Sequence, residues 1–320
     1  MDNYIEDLNK IAERAGMDSL IKTGEAAINL QYENLLRTLD AKTKNIDTFF
    51  GVIFVAGPSA SGKTTFSNRL ADKIRSTGIS VNVISLDNFY HNRAFSLARQ
   101  KKLGIIPQDA TEADYERIDA FDISKFKKVV KSFIAWQPTR LPTFDFNEGK
   151  HFDNGPIIKR EGRDVLIVEG IQGMNPKVFG GFKADFKFKI YICPFNTYTS
   201  SKSPKLRITP QMIRFMRRAN RDLVTRNSSL LRTCLLWPSV RRGEEEYIKP
   251  AKKYADVFIN TSYSYEPFYL CGRMAELLKD LPPEDVETVS ANLNIEASEL
   301  FYRFREYDIP KDSVFNEFFY

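Results

Sequence analysis

The stretch Gly57-Pro58-Ser59-Ala60-Ser61-Gly62-Lys63-Thr64 constrains this chain more than any other. It fits the pattern G-x-x-x-x-G-K-[ST]. Two glycines let the backbone curl around an anion, so that amide N–H groups and the N-terminus of the next helix face it. Lys63 then reaches the outer phosphates as a point charge, and the Thr64 hydroxyl can ligate Mg²⁺. The surroundings are those the pattern needs. An apolar run, 52–56, precedes it; Phe66, Leu70, Ala71 and Ile74 follow at helical spacing, and Gly78 ends that helix. A nucleoside triphosphate is expected on Gly57, Ser59, Ala60, Ser61, Gly62, Lys63, Thr64 and Thr65.

The composition of the 320 residues, 42% hydrophobic and 28% charged, is that of a globular protein with ample core. No apolar run reaches membrane-spanning length, and the polar start does not read as a signal peptide. Cys193, Cys234 and Cys271 are widely spaced and odd in number, which implies neither a disulfide framework nor a zinc cluster. The expectation is a soluble, cytoplasmic protein. The net charge of +6 is concentrated: between Lys202 and Arg242 stand 11 basic residues and one acid, Asp222. Such concentration suits a clamp on a compact polyanion better than a nucleic-acid surface, which draws its basic residues from several elements.

Along the chain, 1–48 reads as a helical extension, with Ile5, Leu8 and Ile11 on one face and Gly16 as a break. A core over 49–262 follows, then a helical extension over 263–320. Strand, P-loop, helix and a second strand at 81–85 imply an α/β fold of the P-loop NTPase kind: a doubly wound parallel sheet flanked by helices, with ligands beyond the strands' carboxyl ends. Asp87 lies just past such an end, where a turn carboxylate and a catalytic one are equally at home. Val165-Leu166-Ile167-Val168 reads as a central strand, and Glu169 at its end is placed as a second acid for the metal. Phe186, Phe188, Ile190 and Ile192 alternate with Lys187, Lys189 and Tyr191, which predicts a strand with one wetter face. Arg214, Arg217, Arg218 and Arg221 share a helix face with little acid near them in sequence. They read as part of a closing lid, about 200–235, over a triphosphate. Residues 254–260 read as the last core strand. Helices carrying Leu270, Met274, Leu277 and Leu278, then Val286, Val289 and Leu293, then Leu300, Phe301 and Phe304 follow, and an aromatic end, 314–320, is expected to dock.

Taken in order, GPSASGKTTF (57–66), ISLDNFY (84–90), DAFD (119–122), PTFDF (142–146), DVLIVEGI (164–171), RFMRRANRD (214–222) and KKYADVFIN (252–260) resemble the uridine kinase/phosphoribulokinase family of P-loop kinases. WPSVRRGEE (237–245) and IPKDSVFNEFF (309–319) are most similar to the kinase half of bacterial uridine-kinase-like proteins; the threonyl-tRNA-synthetase-like region that precedes that half is expected to be absent here. The resemblance implies ATP-dependent phosphorylation of the 5′-hydroxyl of a nucleoside, uridine or cytidine by default, with Mg²⁺. It casts Asp87 as the base, Lys63 and Arg221 as further catalytic groups, and Arg226 on the nucleotide. Thr64, Glu169 and Asp87 are cast on the metal, and Asp87, Tyr90, Glu116, Phe144, Phe146 and Arg218 on the acceptor. Two features depart from the family pattern. Phe144 replaces a base-reading tyrosine, and His151 stands about two positions beyond the family's histidine. The implied partner is a nucleoside-like small molecule, with no membrane and no nucleic acid; self-association stays open. A kinase of another small alcohol or phosphorylated sugar, and a nucleotide-binding module without catalysis, are the competing expectations.

Overall fold

In the computed structural model, which describes residues 3–43, 49–301 and 309–318, the chain enters through two helices, α1 (Ile5–Ala15) and α2 (Met17–Thr43). Gly16 separates them at φ +77°. The buried face of α1 is Ile5, Leu8 and Ala12, whereas Ile11, expected on that face, is exposed. A 3.6-residue period returns to the same side at i+7 rather than i+6. Tyr32 of α2 stacks on Phe66 with ring centroids 4.8 Å apart, and this ties the entering helices to the core.

Five parallel strands follow: β1 (Phe50–Ala56), β2 (Ser80–Ser85), β3 (Asp164–Glu169), β4 (Phe186–Cys193) and β5 (Val257–Asn260). They pair in the order β5–β4–β1–β3–β2. The expected doubly wound α/β sheet is present. β1 and β3 are buried at every position, as central strands covered on both faces must be. Their alternation divides the core in two. Ile53, Val55, Val165 and Ile167 pack with Phe66, Leu70 and Ile74 of α3 (Lys63–Arg75). Val52, Phe54, Leu166 and Val168 pack on the other side with Phe126, Val130 and Phe133 of α4 (Ile123–Ile134). Register then sets the chemistry, because Glu169 stands opposite Val55 on one side and Ser85 on the other.

Two expectations need correction. The wetter face of β4 holds only over its first half. Lys187 and Lys189 are half-buried against buried Phe188 and Ile190, with Lys187 donating to the carbonyls of Phe179 and Phe182 and Lys189 paired with Asp256, whereas Tyr191 is buried. The segment 200–235 is not one lid. Tyr198–Ser200 and Ser203–Ile208 form a hairpin paired with Asn3–Tyr4. Helices α5 (Pro210–Thr225) and α6 (Leu230–Gly243) follow, and α5 is anchored in the core through Arg214 and Arg217. Only its part from Arg218 onward reaches the cleft described below. The last long helix is α7 (Glu266–Lys279). Val314–Phe318 docks against the P-loop side of the core, whereas Phe304, Phe319 and Tyr320 fall outside the described residues. The three cysteines are buried, and no helix among the described residues is long and apolar enough to cross a membrane.

Candidate active site

β1 feeds directly into the loop 57–64, whose shape depends on two missing side chains. A Cβ at Gly57 would lie 2.0 Å from the Ile192 carbonyl oxygen. Gly62 has φ +87°, and a Cβ there would lie 2.4 Å from Cγ1 of Val314. Ala60 sits at φ +58°, a conformation that costs an L-residue about 1 kcal/mol. The loop is held from behind. Arg214 donates to the Ser59 carbonyl (3.3 Å), Arg217 to that of Ala60 (3.4 Å), and the Thr261 hydroxyl to that of Ser61 (2.9 Å). With three successive carbonyls engaged on its outside, the loop keeps its amides for an anion inside.

Arg214 and Arg217 are therefore struts rather than lid residues. The acids that balance them arrive late in the chain: Glu244 pairs with Arg214, and Glu266 with Arg217 at 2.6 Å. Both partners of the second pair are fully buried. Arg217→Ala is expected to lower stability by about 3–5 kcal/mol, because it strands the Glu266 carboxylate. Urea denaturation at neutral pH measures this, and a loss under 1 kcal/mol would contradict the strut assignment.

Beyond the loop lies a cleft of ≈ 690 Å³, lined at its floor by Ser59, Ala60, Lys63, Thr64 and Thr65. Gly57, Ser61 and Gly62 shape the loop from behind instead of lining it. Lys63 donates to the Pro58 carbonyl at 3.0 Å. Burial lowers the pKa of its ammonium, against the pull of Glu169 and Asp87. Asp87 lines the same cleft from the turn Leu86–Phe89 that follows β2. The Thr64 hydroxyl donates to Glu169 at 3.4 Å. Burial, reinforced by Asp87, pushes the Glu169 carboxyl up to about 7. Two acids beside a threonine hydroxyl fit a divalent cation. Among the described residues no group of three or more His, Cys, Asp or Glu could hold a metal. Mg²⁺ is typically bound by one or two carboxylates plus substrate phosphates, so the donor set suits it.

The cationic wall is organised by Asp222. Arg221 donates to it at 2.9 Å, Arg218 lies 3.2 Å away and Arg226 3.5 Å. Burial alone would raise the Asp222 pKa, but the three guanidiniums outweigh it and hold the carboxyl below its usual range. Arg218 also donates to the Ser59 hydroxyl at 2.9 Å, joining this wall to the P-loop. Arg226 lies over the Phe146 ring at 4.5 Å. Burial and Arg221 bring its pKa down to about 10.

The remaining wall is aromatic. Tyr90 stacks on Phe121 (4.2 Å) and touches Phe144 (5.5 Å), and its hydroxyl donates to the Tyr115 carbonyl. Phe144 and Phe146 stand on the hairpin Thr143–Asp145/Lys150–Phe152, where the Phe144 amide donates to Asn88 at 3.2 Å. His151 stands opposite Phe144 in register, but its Nδ1 lies 3.1 Å from Asn92 and it is not part of the cleft lining. Glu116 completes the wall, with Oε2 buried and without a hydrogen-bond partner.

Burial pushes the Glu116 carboxyl up to about 7, from 4.5, despite Arg218. The folded chain thus holds that proton more tightly than the unfolded chain. The stability Glu116 contributes is full below pH 4.5 and is lost as pH rises through 7. Glu116→Gln should exceed the parent in stability by about 1–2 kcal/mol at pH 8, with the difference vanishing near pH 4. Denaturation at the two pH values reads this, and a pH-independent difference would contradict it.

Sequence reasoning gave no site role to several residues of the cleft lining, among them Arg93, Tyr115, Asp222, Arg232 and Glu317. Glu317 accepts from both the Thr65 amide (3.2 Å) and the Thr65 hydroxyl (3.0 Å). For Glu317 the available signal was a lone acid in an aromatic segment expected to dock.

Against known proteins, the model of the Phosphoribulokinase / Uridine kinase family matches residues 52–201. Uridine kinase from Borrelia duttonii (strain Ly) is 30% identical over 215 residues, covering 65% of this chain and 85% of that protein. Uridine kinase from Lactobacillus helveticus (strain DPC 4571) is 27% identical over 213 residues, with the same coverage. Among solved structures, D-glycerate 3-kinase from Cryptococcus neoformans var. grubii is 16% identical. That alignment covers 86% of this chain and 88% of the other, at a TM-score of 0.39.

Proposed function

The chain belongs to the phosphoribulokinase/uridine kinase family, and from that premise we propose that it transfers the γ-phosphoryl group of ATP to the 5′-hydroxyl of a nucleoside. The observation that carries this reading is the meeting of Asp87, Lys63 and Glu169 in one cleft with the arginine wall. An alcohol is almost wholly protonated at neutral pH, so its attack gains from a carboxylate that accepts the proton. Asp87 has that role. Lys63, Arg218 and Arg221 stabilise charge on the phosphoryl oxygens during transfer, and Arg226 holds the nucleotide's phosphates. Thr64, Glu169 and Asp87 would hold Mg²⁺, which would further neutralise phosphate charge. Glu116 takes acceptor hydroxyls with its unpartnered oxygen. Tyr90, Phe144 and Phe146 cover the acceptor's apolar face and keep water, the competing nucleophile, from the phosphoryl group.

Uridine is expected to give uridine 5′-monophosphate and ADP. 5′-Deoxyuridine, which lacks the accepting hydroxyl, should release no ADP above background. Equal ADP release from the two would mean that water is the acceptor, and the reading would fall. A specific observation favours a second acceptor class. Phe144 carries no hydroxyl, and His151 does not line the cleft, so neither offers the polar contact that reads a pyrimidine edge. Another small alcohol or a phosphorylated sugar then takes the nucleoside's place, with the same base and donor.

A further inference from the structure

The segment Val314–Phe318 lies against the part of the P-loop that serves the donor. Its Val314 and Phe318 side chains lie beside Gly62, so closely that a Cβ there would lie 2.4 and 4.0 Å from them. The Phe318 ring faces Arg217 at 4.8 Å, and its carbonyl accepts from Asn220. Two ties hold the segment from the other side. Asp312 pairs with Arg69 of α3 at 3.1 Å, and the Ser313 hydroxyl meets that of Tyr265 at 3.2 Å. Together they deliver the Glu317 carboxylate to Thr65.

The Thr65 amide belongs to the first turn of α3, whose N–H groups have no partner within the helix and favour negative charge. In a P-loop these groups cradle the donor's phosphates. Here one Glu317 oxygen takes both Thr65 donors, and the other lies 4.0 Å from Arg221. A carboxylate of the chain itself therefore occupies ground that a phosphate needs. Phosphate and carboxylate cannot share those donors, and side by side they repel.

We propose that Glu317 is a stand-in for a donor phosphate, and that Val314–Phe318 is a gate which ATP displaces when it binds. Glu317 thereby sets donor affinity: it satisfies the P-loop in the empty enzyme and is exchanged for the anion. The inference rests on the donor half of the reading above and is independent of the acceptor.

The test uses the full chain and ATP itself. Glu317→Gln keeps the shape of the side chain and removes its charge. It should tighten ATP binding about tenfold, the scale of one lost like-charge contact. In the parent, ATP should speed hydrogen exchange of peptides covering 309–318. Unchanged or weaker ATP affinity in Glu317→Gln overturns the gate and makes Glu317 a spectator or a donor ligand. Unchanged exchange on adding ATP overturns it equally. Lys63→Ala separates the two levels. If the parent shows ATP binding that Lys63→Ala abolishes, a failed gate leaves the donor site standing. If the parent shows none, both fall.

Discussion

Asp87→Asn is expected to lower kcat by about 10²–10⁴-fold while leaving the ATP dissociation constant within a few-fold of the parent. That range is what a positioned base contributes to proton removal from an alcohol. Asparagine keeps the volume of the side chain and the backbone bond from Tyr90 that closes the turn Leu86–Phe89, so a loss of this size reports the missing base rather than a rearranged loop. Steady-state kinetics with saturating acceptor, beside equilibrium ATP binding, separate the two quantities. A loss that appears chiefly in ATP affinity would leave Asp87 with its metal role alone and the base unassigned.

Lys63→Ala should damage both quantities. Its ammonium is buried beside Glu169 and Asp87, so removing it deletes a phosphate contact and also leaves two acids with less to balance them. A fall of about 10²–10³-fold in kcat is expected, as for loss of one preorganised group at the transferring phosphoryl, together with clearly weaker ATP binding. Competition binding with ATP and initial rates measure this. The contrast with Asp87→Asn is the informative part. One variant loses chemistry at intact donor affinity, whereas the other loses both.

The donor half of this site was legible in the sequence because its determinants are local. A five-residue apolar run, two glycines, a lysine and a threonine can be read from 52–64 alone, and Glu169 follows from its place at the end of a second apolar run. What the arginines of α5 do was not legible. Helical spacing shows that Arg214, Arg217, Arg218 and Arg221 share a face, but not what that face meets. The acids that claim Arg214 and Arg217 lie 30 and 49 residues further on, at Glu244 and Glu266. The same holds for Tyr191, whose burial depends on Ile248 and neighbouring side chains packing across β4. Glu317 had least signal of all, because its partner Thr65 is 252 residues away. The acceptor wall was half legible. Phe144 and Glu116 could be named from motifs, whereas the engagement of His151 by Asn92 depends on the hairpin's docking against the residues after β2.

The central claim is that this cleft passes a phosphoryl group from ATP to an alcohol. Its most direct test is ADP release with Mg-ATP over a panel of nucleosides, phosphorylated sugars and small alcohols, each product identified by mass. The expected result is a nucleoside 5′-monophosphate formed with stoichiometric ADP and lost in Asp87→Asn. Tight ATP binding with no phosphorylated product from any alcohol in the panel would contradict it.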